Sequence, residues 1–280
     1  MSPKFKVQSS KSKVQSPKFK VQSSSPKTKD QKPNFAFVYG VLPVLEALRA
    51  ENRRIEKIII ADGANEKRLS DVLRLAQSNG VAIQKVPREN LERLVENGAN
   101  HQGIIAFIAA AEYFDTNKLL NEITAKENSL SVILDGVEDP RNFGAILRTV
   151  ECAGADGVFI PERRAVGLTE TVAKSSAGAT EYVKVAKVIN VNRLIDELKE
   201  NNIWVVGASG DAQMNYTDWD WKQSSALVLG GEGKGLHRLT AEKCDVLVRI
   251  PLLGNIESLN VSVAAAVILY EAVRQRNTAN

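Results

Sequence analysis

Beyond residue 130 runs a series of short apolar segments, most of them separated from the next by a helical one. "SVILDGV" (131–137), "VFIP", "YVKVAKV", "IWVVGAS" and "ALVLGGE" read as strands. A loop and helix in "EDPRNFGAILRTVECAGADG", ending at Gly154, and helical segments near 168–177 and 191–201 lie between them. Strands that are apolar throughout and alternate with helices predict a mostly parallel α/β sheet covered on both faces, with ligands beyond the carboxyl ends of the strands. The chain closes on "SLNVSVAAAVILYEAVRQR" (258–276), a helix apolar on nearly every side through residue 269. Such a helix needs burial on more than one face, by its own domain and by a second subunit.

A smaller alternation precedes this unit. "VLPVLEALRAE" (41–51) reads as a helix, "KIIIAD" (57–62) as a strand, and "EKRLSDVLRLAQSNG" (66–80) as a helix closed by Gly80. "AIQKVP" reads as a strand, "RENLERLVEN" as a helix, and "GIIAFIAAA" (103–111) as a buried strand. The reading divides the chain into a tail at 1–34, a small α/β domain at 35–112, a linker at 113–129, a larger α/β domain at 130–276 and a short tail at 277–280. At 280 residues, 44% apolar and 25% charged, there is enough chain for two cores.

Charge is distributed unevenly. Residues 1–34 hold nine lysines and one acid, a net +8, which leaves −4 on the rest of a chain whose total is +4. Within that tail "SPKFKVQSS" at 2–10 recurs at 16–24, and so little apolar surface predicts disorder. A lysine-rich arm can tether RNA phosphates or simply solubilise the chain, and it lacks the arginine of typical transit peptides. No apolar run approaches the roughly 18 to 20 residues of a membrane span, and a cytoplasmic location is expected. Two cysteines, Cys152 and Cys244, have neither metal-ligand spacing nor the count of a disulfide framework, and read as core fillers. No metal site is expected.

The loop "LVLGGEGKGL" (227–236) places four glycines within six positions around Glu232 and Lys234. It is not a phosphate-cradling G-x-x-x-x-G-K-[ST] loop, because Lys234 is followed by Gly235 and no spacing matches. The dinucleotide pattern G-x-G-x-x-G fails as well, since the third position after Gly231 and Gly233 falls on Leu236. A central carboxylate would repel phosphate. S-adenosylmethionine, an adenosine without phosphates that carries a sulfonium cation, fits these demands, although a glycine-bearing strand-to-helix turn is the commoner origin of such a stretch.

Two further segments add to that reading. In "DPRNFGAILRT" (139–149), Pro140 keeps Asp139 out of helical space and Asn142 is expected as the N-cap, with Arg148 leaning back towards that loop. In "IPLLGNIESLNVSVA" (250–264), Ser258 and Asn260 stand at the mouth of the final helix, where capping is the ordinary role.

Together, in this order, the three segments resemble the SpoU-type ribose 2′-O-methyltransferases of the SPOUT superfamily. They look like that family's "N-F-G-x-I-x-R-T", "G-x-E-G-x-G" and "I-P-x-x-G-x-x-x-S-L-N-V-S-V-A" motifs, over roughly residues 130–276. The first unit, with "VYGVLPVLEAL" at its start and "NHQGIIAF" at its end, resembles the small substrate-binding domain that precedes the catalytic domain in ribosomal RNA members. The resemblance implies a trefoil knot, S-adenosylmethionine as cofactor, and a homodimer with active sites at the interface. It carries cofactor contacts onto Gly230, Ile250 and Leu259, and catalytic and substrate-positioning roles onto Asn142, Arg148, Glu232, Ser258 and Asn260.

The implied activity is methyl transfer to the ribose 2′-hydroxyl of a guanosine in 23S ribosomal RNA of the large subunit. Transfer RNA as substrate, antibiotic resistance through rRNA, and a non-catalytic RNA-binding assembly factor are the alternatives. Family proposals make Arg148 the general base, but a guanidinium, with a pKa above about 12, is better suited to clamping phosphate and stabilising a developing alkoxide. His237 reads as a solvated helix-start residue and His101 as a turn residue on a loop that could meet RNA. Trp219 and Trp221 are expected to pack over a neighbouring sheet.

Overall fold

Two sheets form, each following the alternation of apolar strands and amphipathic helices. The computed structural model describes residues 35–95, 98–163 and 165–278; the lysine-rich repeats, and the disorder expected of them, lie outside the described residues.

The first sheet is built from β1 (Phe35–Tyr39), α1 (Val41–Ala50), β2 (Ile55–Ala61), α2 (Glu66–Ser78), β3 (Ala82–Val86), α3 (Arg88–Glu92) and β4 (Ile104–Ala109). Strand order is β1-β4-β2-β3, with β4 antiparallel to both neighbours and β2 parallel to β3. Gly40, at φ 95°, turns the chain from β1 into α1. Asn65 caps α2 by accepting from the Lys67 and Arg68 amides. Val44, Leu48, Leu69 and Val72 are fully buried where α1 and α2 cover one face. The helix expected over 88–97 stops at Glu92: Leu91 is fully buried, but Leu94, at helical spacing from it, stays 38% exposed, so little burial holds a further turn.

Next comes α4 (Thr116–Ala125), capped by Asp115; it buries Leu119 and Ile123 beneath the second sheet rather than running free. That sheet is assembled from β5 (Leu130–Asp135), α5 (Pro140–Cys152), β6 (Gly157–Pro161), α6 (Glu170–Ser175), a 3-10 turn at Ala179–Glu181, and β7 (Val185–Val188). It continues through α7 (Val191–Glu200), β8 (Trp204–Ala208), β9 (Met214–Asn215), β10 (Ser225–Gly230), α8 (Arg238–Lys243), β11 (Val246–Arg249) and α9 (Val261–Asn277). Strand order is β7-β6-β5-β10-β8-β11-β9, and every pairing is parallel. The α/β architecture of a small amino-terminal unit followed by a parallel sheet is therefore the one expected.

One face of this sheet packs on α5 and α9, the other on α4 and α7. Trp219 and Trp221 are buried in the first layer, and the Trp221 indole donates to the Tyr216 carbonyl at 2.8 Å. Cys152 departs from its expected core role: it lies exposed at the end of α5, whereas Cys244 is half-buried and its thiol is pushed up to about 12 by burial.

The two sheets meet through α6 and the turn after it. Ala173 of α6 is part of the small sheet's core. Arg53 reaches Glu181 with two nitrogens, and the side chains are only 12% and 2% exposed. Asn52 Nδ2 donates to the Glu181 carbonyl at 2.6 Å, and the Tyr182 hydroxyl donates to Glu46 at 2.7 Å. Burial and that hydrogen bond push the Tyr182 phenol up to about 12.

Candidate active site

Sheet order reverses between β5 and β10, and the last residues of these strands, Asp135 and Gly230, stand side by side in register. A reversal of this kind opens a crevice at the carboxyl ends of the strands, because the connections on either side depart in opposite directions. The glycine loop fills that position. Its Gly231 amide donates to the Asp135 carbonyl at 3.1 Å, and its Gly235 amide returns to the Gly231 carbonyl at 3.1 Å. Backbone crowding explains the glycines: a Cβ on Gly230 would overlap the backbone of Gly235 and Leu236, and one on Gly231 would overlap the Gly136 carbonyl.

Glu232 is the hub of this loop. Its Oε1 accepts from Asn142 Nδ2 at 2.7 Å, and its Oε2 accepts from the Glu138 amide at 3.4 Å. Asn142 Oδ1 in turn accepts from Asn260 Nδ2 at 3.0 Å, while Asn260 Oδ1 accepts from the Ser262 amide at 2.9 Å. The three expected polar residues, 90 and 118 positions apart, thus share one hydrogen-bonded chain.

Two local expectations change here. Asp139, not Asn142, caps α5: its Oδ1 accepts from the Arg141 amide at 2.7 Å, with Pro140 in the first helical position. Asn142 lies one turn inside, so its amide is free to bridge Glu232 and Asn260. The final helix begins at Val261 with Asn260 as its cap, and Ser258 lies in the loop that leads to it.

A cavity of roughly 420 Å³ opens at this point, lined among others by Gly230, Glu232, Ile250, Ser258, Leu259 and Asn260. Every expected cofactor contact therefore borders one space. Its charged lining is Glu232 and Glu257 against Arg249, a balance that suits a ligand bearing positive charge better than one bearing phosphates. Arg249, Glu257 and Ser209 were not singled out in the sequence; the strand end "IWVVGAS" was the available signal for Ser209.

Arg148 is not brought into this cavity. It lies exposed on α5, six residues beyond Asn142 and about 9 Å along the helix, with no hydrogen bond or ion pair among the described residues. His237 caps α8 with an exposed ring, as expected, but also places Nδ1 2.9 Å from Asp135, while its amide donates to the same carboxylate at 2.9 Å. His101 is buried in a turn, its Nδ1 accepting from the Gly103 amide at 3.1 Å; burial, with Arg88 nearby, pulls its pKa down. Among the described residues no group of three or more His, Cys, Asp or Glu is placed to hold a metal, and no helix is long and apolar enough to cross a membrane.

The sequence profile of the SpoU rRNA methylase family matches residues 129–270, just over half of the chain. The chain belongs to this family. A second profile, for RNA 2′-O ribose methyltransferase substrate binding, matches residues 37–114. A Bacillus subtilis protein named for the TrmH family of tRNA/rRNA methyltransferases, YacO, is 43% identical over 242 residues, covering 86% of this chain and 96% of its own. Among solved structures, an RNA 2′-O ribose methyltransferase aligns with a TM-score of 0.73 at 27% identity, over 88% of this chain and 90% of the other. The SpoU methyltransferase AviRb of Streptomyces viridochromogenes, in complex with AdoMet, aligns at 0.70 and 25% identity over 86% and 90%.

This SpoU protein is accordingly an S-adenosylmethionine-dependent RNA methyltransferase, and the cavity at the β5/β10 reversal fits the cofactor. The cavity's glycine backbone, its apolar Ile250 and Leu259 and its net negative lining are groups of the kind that an adenosine bearing a sulfonium and an ammonium would need.

Proposed function

We propose that the protein methylates the ribose 2′-hydroxyl of a guanosine in 23S ribosomal RNA, in the cytoplasm and as a homodimer. The observation that carries this reading is the Glu232–Asn142–Asn260 chain at the mouth of a glycine-walled cavity. The cofactor supplies an electrophilic methyl group; the protein has to align a weak nucleophile with it and stabilise the charge that develops on oxygen. Glu232 and Asn142 orient each other and present acceptor and donor atoms to a ribose, while Asn260 ties that pair to the start of α9. Gly230, Ile250 and Leu259 hold the cofactor, and Ser258 orders the approach to it.

Arg148 takes the electrostatic part: its donor fork binds the target phosphate and stabilises the forming alkoxide. Because it is exposed and stands away from its own chain's cavity, we assign it to the cavity of the second protomer. Supporting this, α5 packs on α9, which leaves Val263 and Tyr270 about half exposed, and Leu253 and Ile256 in the approach to α9 are 99% and 75% exposed. Covering those side chains is the natural use of a dimer interface. The knot implied by the family resemblance belongs to the same proposal; the placement of β10 between β5 and β8, with β11 beyond β8, is compatible with it.

Mapping ribose methylation by mass spectrometry in rRNA and tRNA from cells lacking the protein tests the substrate. Loss of one 2′-O-methylguanosine from 23S rRNA is expected. Loss from tRNA instead would transfer the assignment to that pool, and unchanged methylation in both would overturn the reading. Mixing Arg148→Ala protomers with Gly230→Ala protomers tests the shared site: activity should return in the mixture, and its absence would return Arg148 to its own chain's cavity.

A further inference from the structure

The small sheet has one face under α1 and α2 and a second face that α3 covers only in part, through Leu91. Across the uncovered part runs a single row of cross-strand neighbours: Phe37 on β1, Phe107 on β4, Lys57 on β2 and Ala82 on β3. Phe37, Phe107 and Lys57 are half-buried, and Ala82 and Gln84 on the same face are exposed. On the opposite face Ile58 and Ala106 are wholly buried. The row is therefore a surface and not a core layer.

Its chemistry is unusual for a surface. The Phe37 and Phe107 rings stand 6.5 Å apart at 53°, and Tyr39 continues the cluster 6.4 Å from Phe37. Lys57 Nζ is 5.0 Å from the centre of the Phe107 ring, and Lys174 Nζ, reaching over from α6, is 5.6 Å from that of Tyr39. Neither lysine has an ion pair among the described residues. Lys174 is half-buried as well, and burial pulls its pKa down, so its ammonium is partly stripped of water with no carboxylate in exchange. Glu56 is the one carboxylate in the four strands. Aromatic faces interleaved with unpaired cations complement a polymer of flat bases and phosphates.

We propose that the Phe37–Phe107–Lys57 row, backed by the buried Tyr39 ring and flanked by Lys174, is a stacking platform for unpaired bases of the RNA substrate. The two aromatic rings of the row receive bases, and Lys57 and Lys174 meet the flanking phosphates. This rests on RNA being the substrate, and it identifies single-stranded rather than duplex RNA as what the small domain grips. The platform is also mechanically joined to the reaction centre. α6, which carries Lys174, packs on α5, which carries Asn142; Ser175 Oγ stands 3.2 Å from the Pro140 carbonyl at that contact. The Arg53–Glu181 pair holds the same junction from the sheet's other end.

The test is binding of the full chain to an unpaired RNA oligonucleotide of about twelve nucleotides and to a duplex of equal length, measured by fluorescence anisotropy across a salt series. Phe107→Leu and Phe37→Leu keep apolar bulk and remove the aromatic face; each should weaken single-strand binding about tenfold while duplex binding stays within about twofold of wild type. Lys57→Ala should reduce the slope of log affinity against log salt by about 0.7. S-adenosylmethionine affinity, unchanged in all three, reports an intact fold. Single-strand affinities within about twofold of wild type in both Leu variants would overturn the platform, as would equal losses on duplex and single strand. If the expected pattern holds but the wild-type chain transfers no methyl group to RNA, the proposed function fails while the platform stands.

Discussion

The seven-stranded sheet is covered on both faces, by α5 and α9 on one side and by α4 and α7 on the other; the four-stranded sheet is fully covered on one face only. A parallel sheet covered on both faces has no open face left for chemistry and must place it at the ends of its strands. Segments far apart in sequence meet there: Asn142, Glu232 and Asn260 converge on the β5/β10 reversal. The small mixed sheet is under no such constraint, and it keeps aromatic and cationic side chains on its own face. One sheet gathers its polar groups at the ends of two interior strands, the other spreads aromatic and cationic groups across a face, and α6 links the two.

That division of labour can be broken at its joint. Arg53→Ala leaves the Glu181 carboxylate buried without its partner, and destabilisation of about 3–5 kcal/mol is expected in urea unfolding. A loss below about 1 kcal/mol would show the junction to be loose, and replacing both residues with apolar ones of similar size should recover most of the loss. At the strand ends, Arg148→Ala should lower methyl transfer by about 10²–10³-fold, with cofactor affinity unchanged in calorimetry. Near-normal turnover would remove Arg148 from the chemistry.

A smaller effect is expected inside the cavity wall. Gly230→Ala forces a methyl group into the Gly235 backbone, and overpacking of about 1–3 kcal/mol should weaken S-adenosylmethionine binding up to about 100-fold, leaving RNA affinity unaffected. Equal damage to both ligands would mean that the two sheets do not work separately. Asn260→Ala removes a helix cap and the donor to Asn142, and should cost about 1 kcal/mol of stability, read as a small fall in Tm. Its effect on turnover should exceed its effect on stability, because Asn142 loses a partner.

Much of this arrangement was legible in the residues. Apolar runs such as "SVILDGV" and "ALVLGGE" are too uniformly hydrophobic for a one-sided sheet, and the failed phosphate-loop spacings pointed to a ligand without phosphates. Short elements were not legible. β9 has two residues and β11 four, and their pairing depends on the neighbour rather than on local pattern. Asp139 and Asn142, three residues apart, are both good capping types for α5, and only the backbone turn at Pro140 chooses Asp139. Cys152 was expected inside, but its position on α5 faces solvent.

By itself the amino-acid sequence determined the α/β class and the parallel sheet, since periodicity is a local property that survives without coordinates. Its motifs, through the family resemblance, pointed to Gly230, Glu232, Ile250, Ser258, Leu259 and Asn260 of the cavity lining but not to Ser209, Arg249 or Glu257. Tertiary structure alone decided which of those residues touch. It joined Asn142 to Glu232 and Asn260, held Arg148 apart from them, and lined up Phe37, Phe107 and Lys57 in one row. Strand order and register are set by packing between distant segments, and no local pattern contains them.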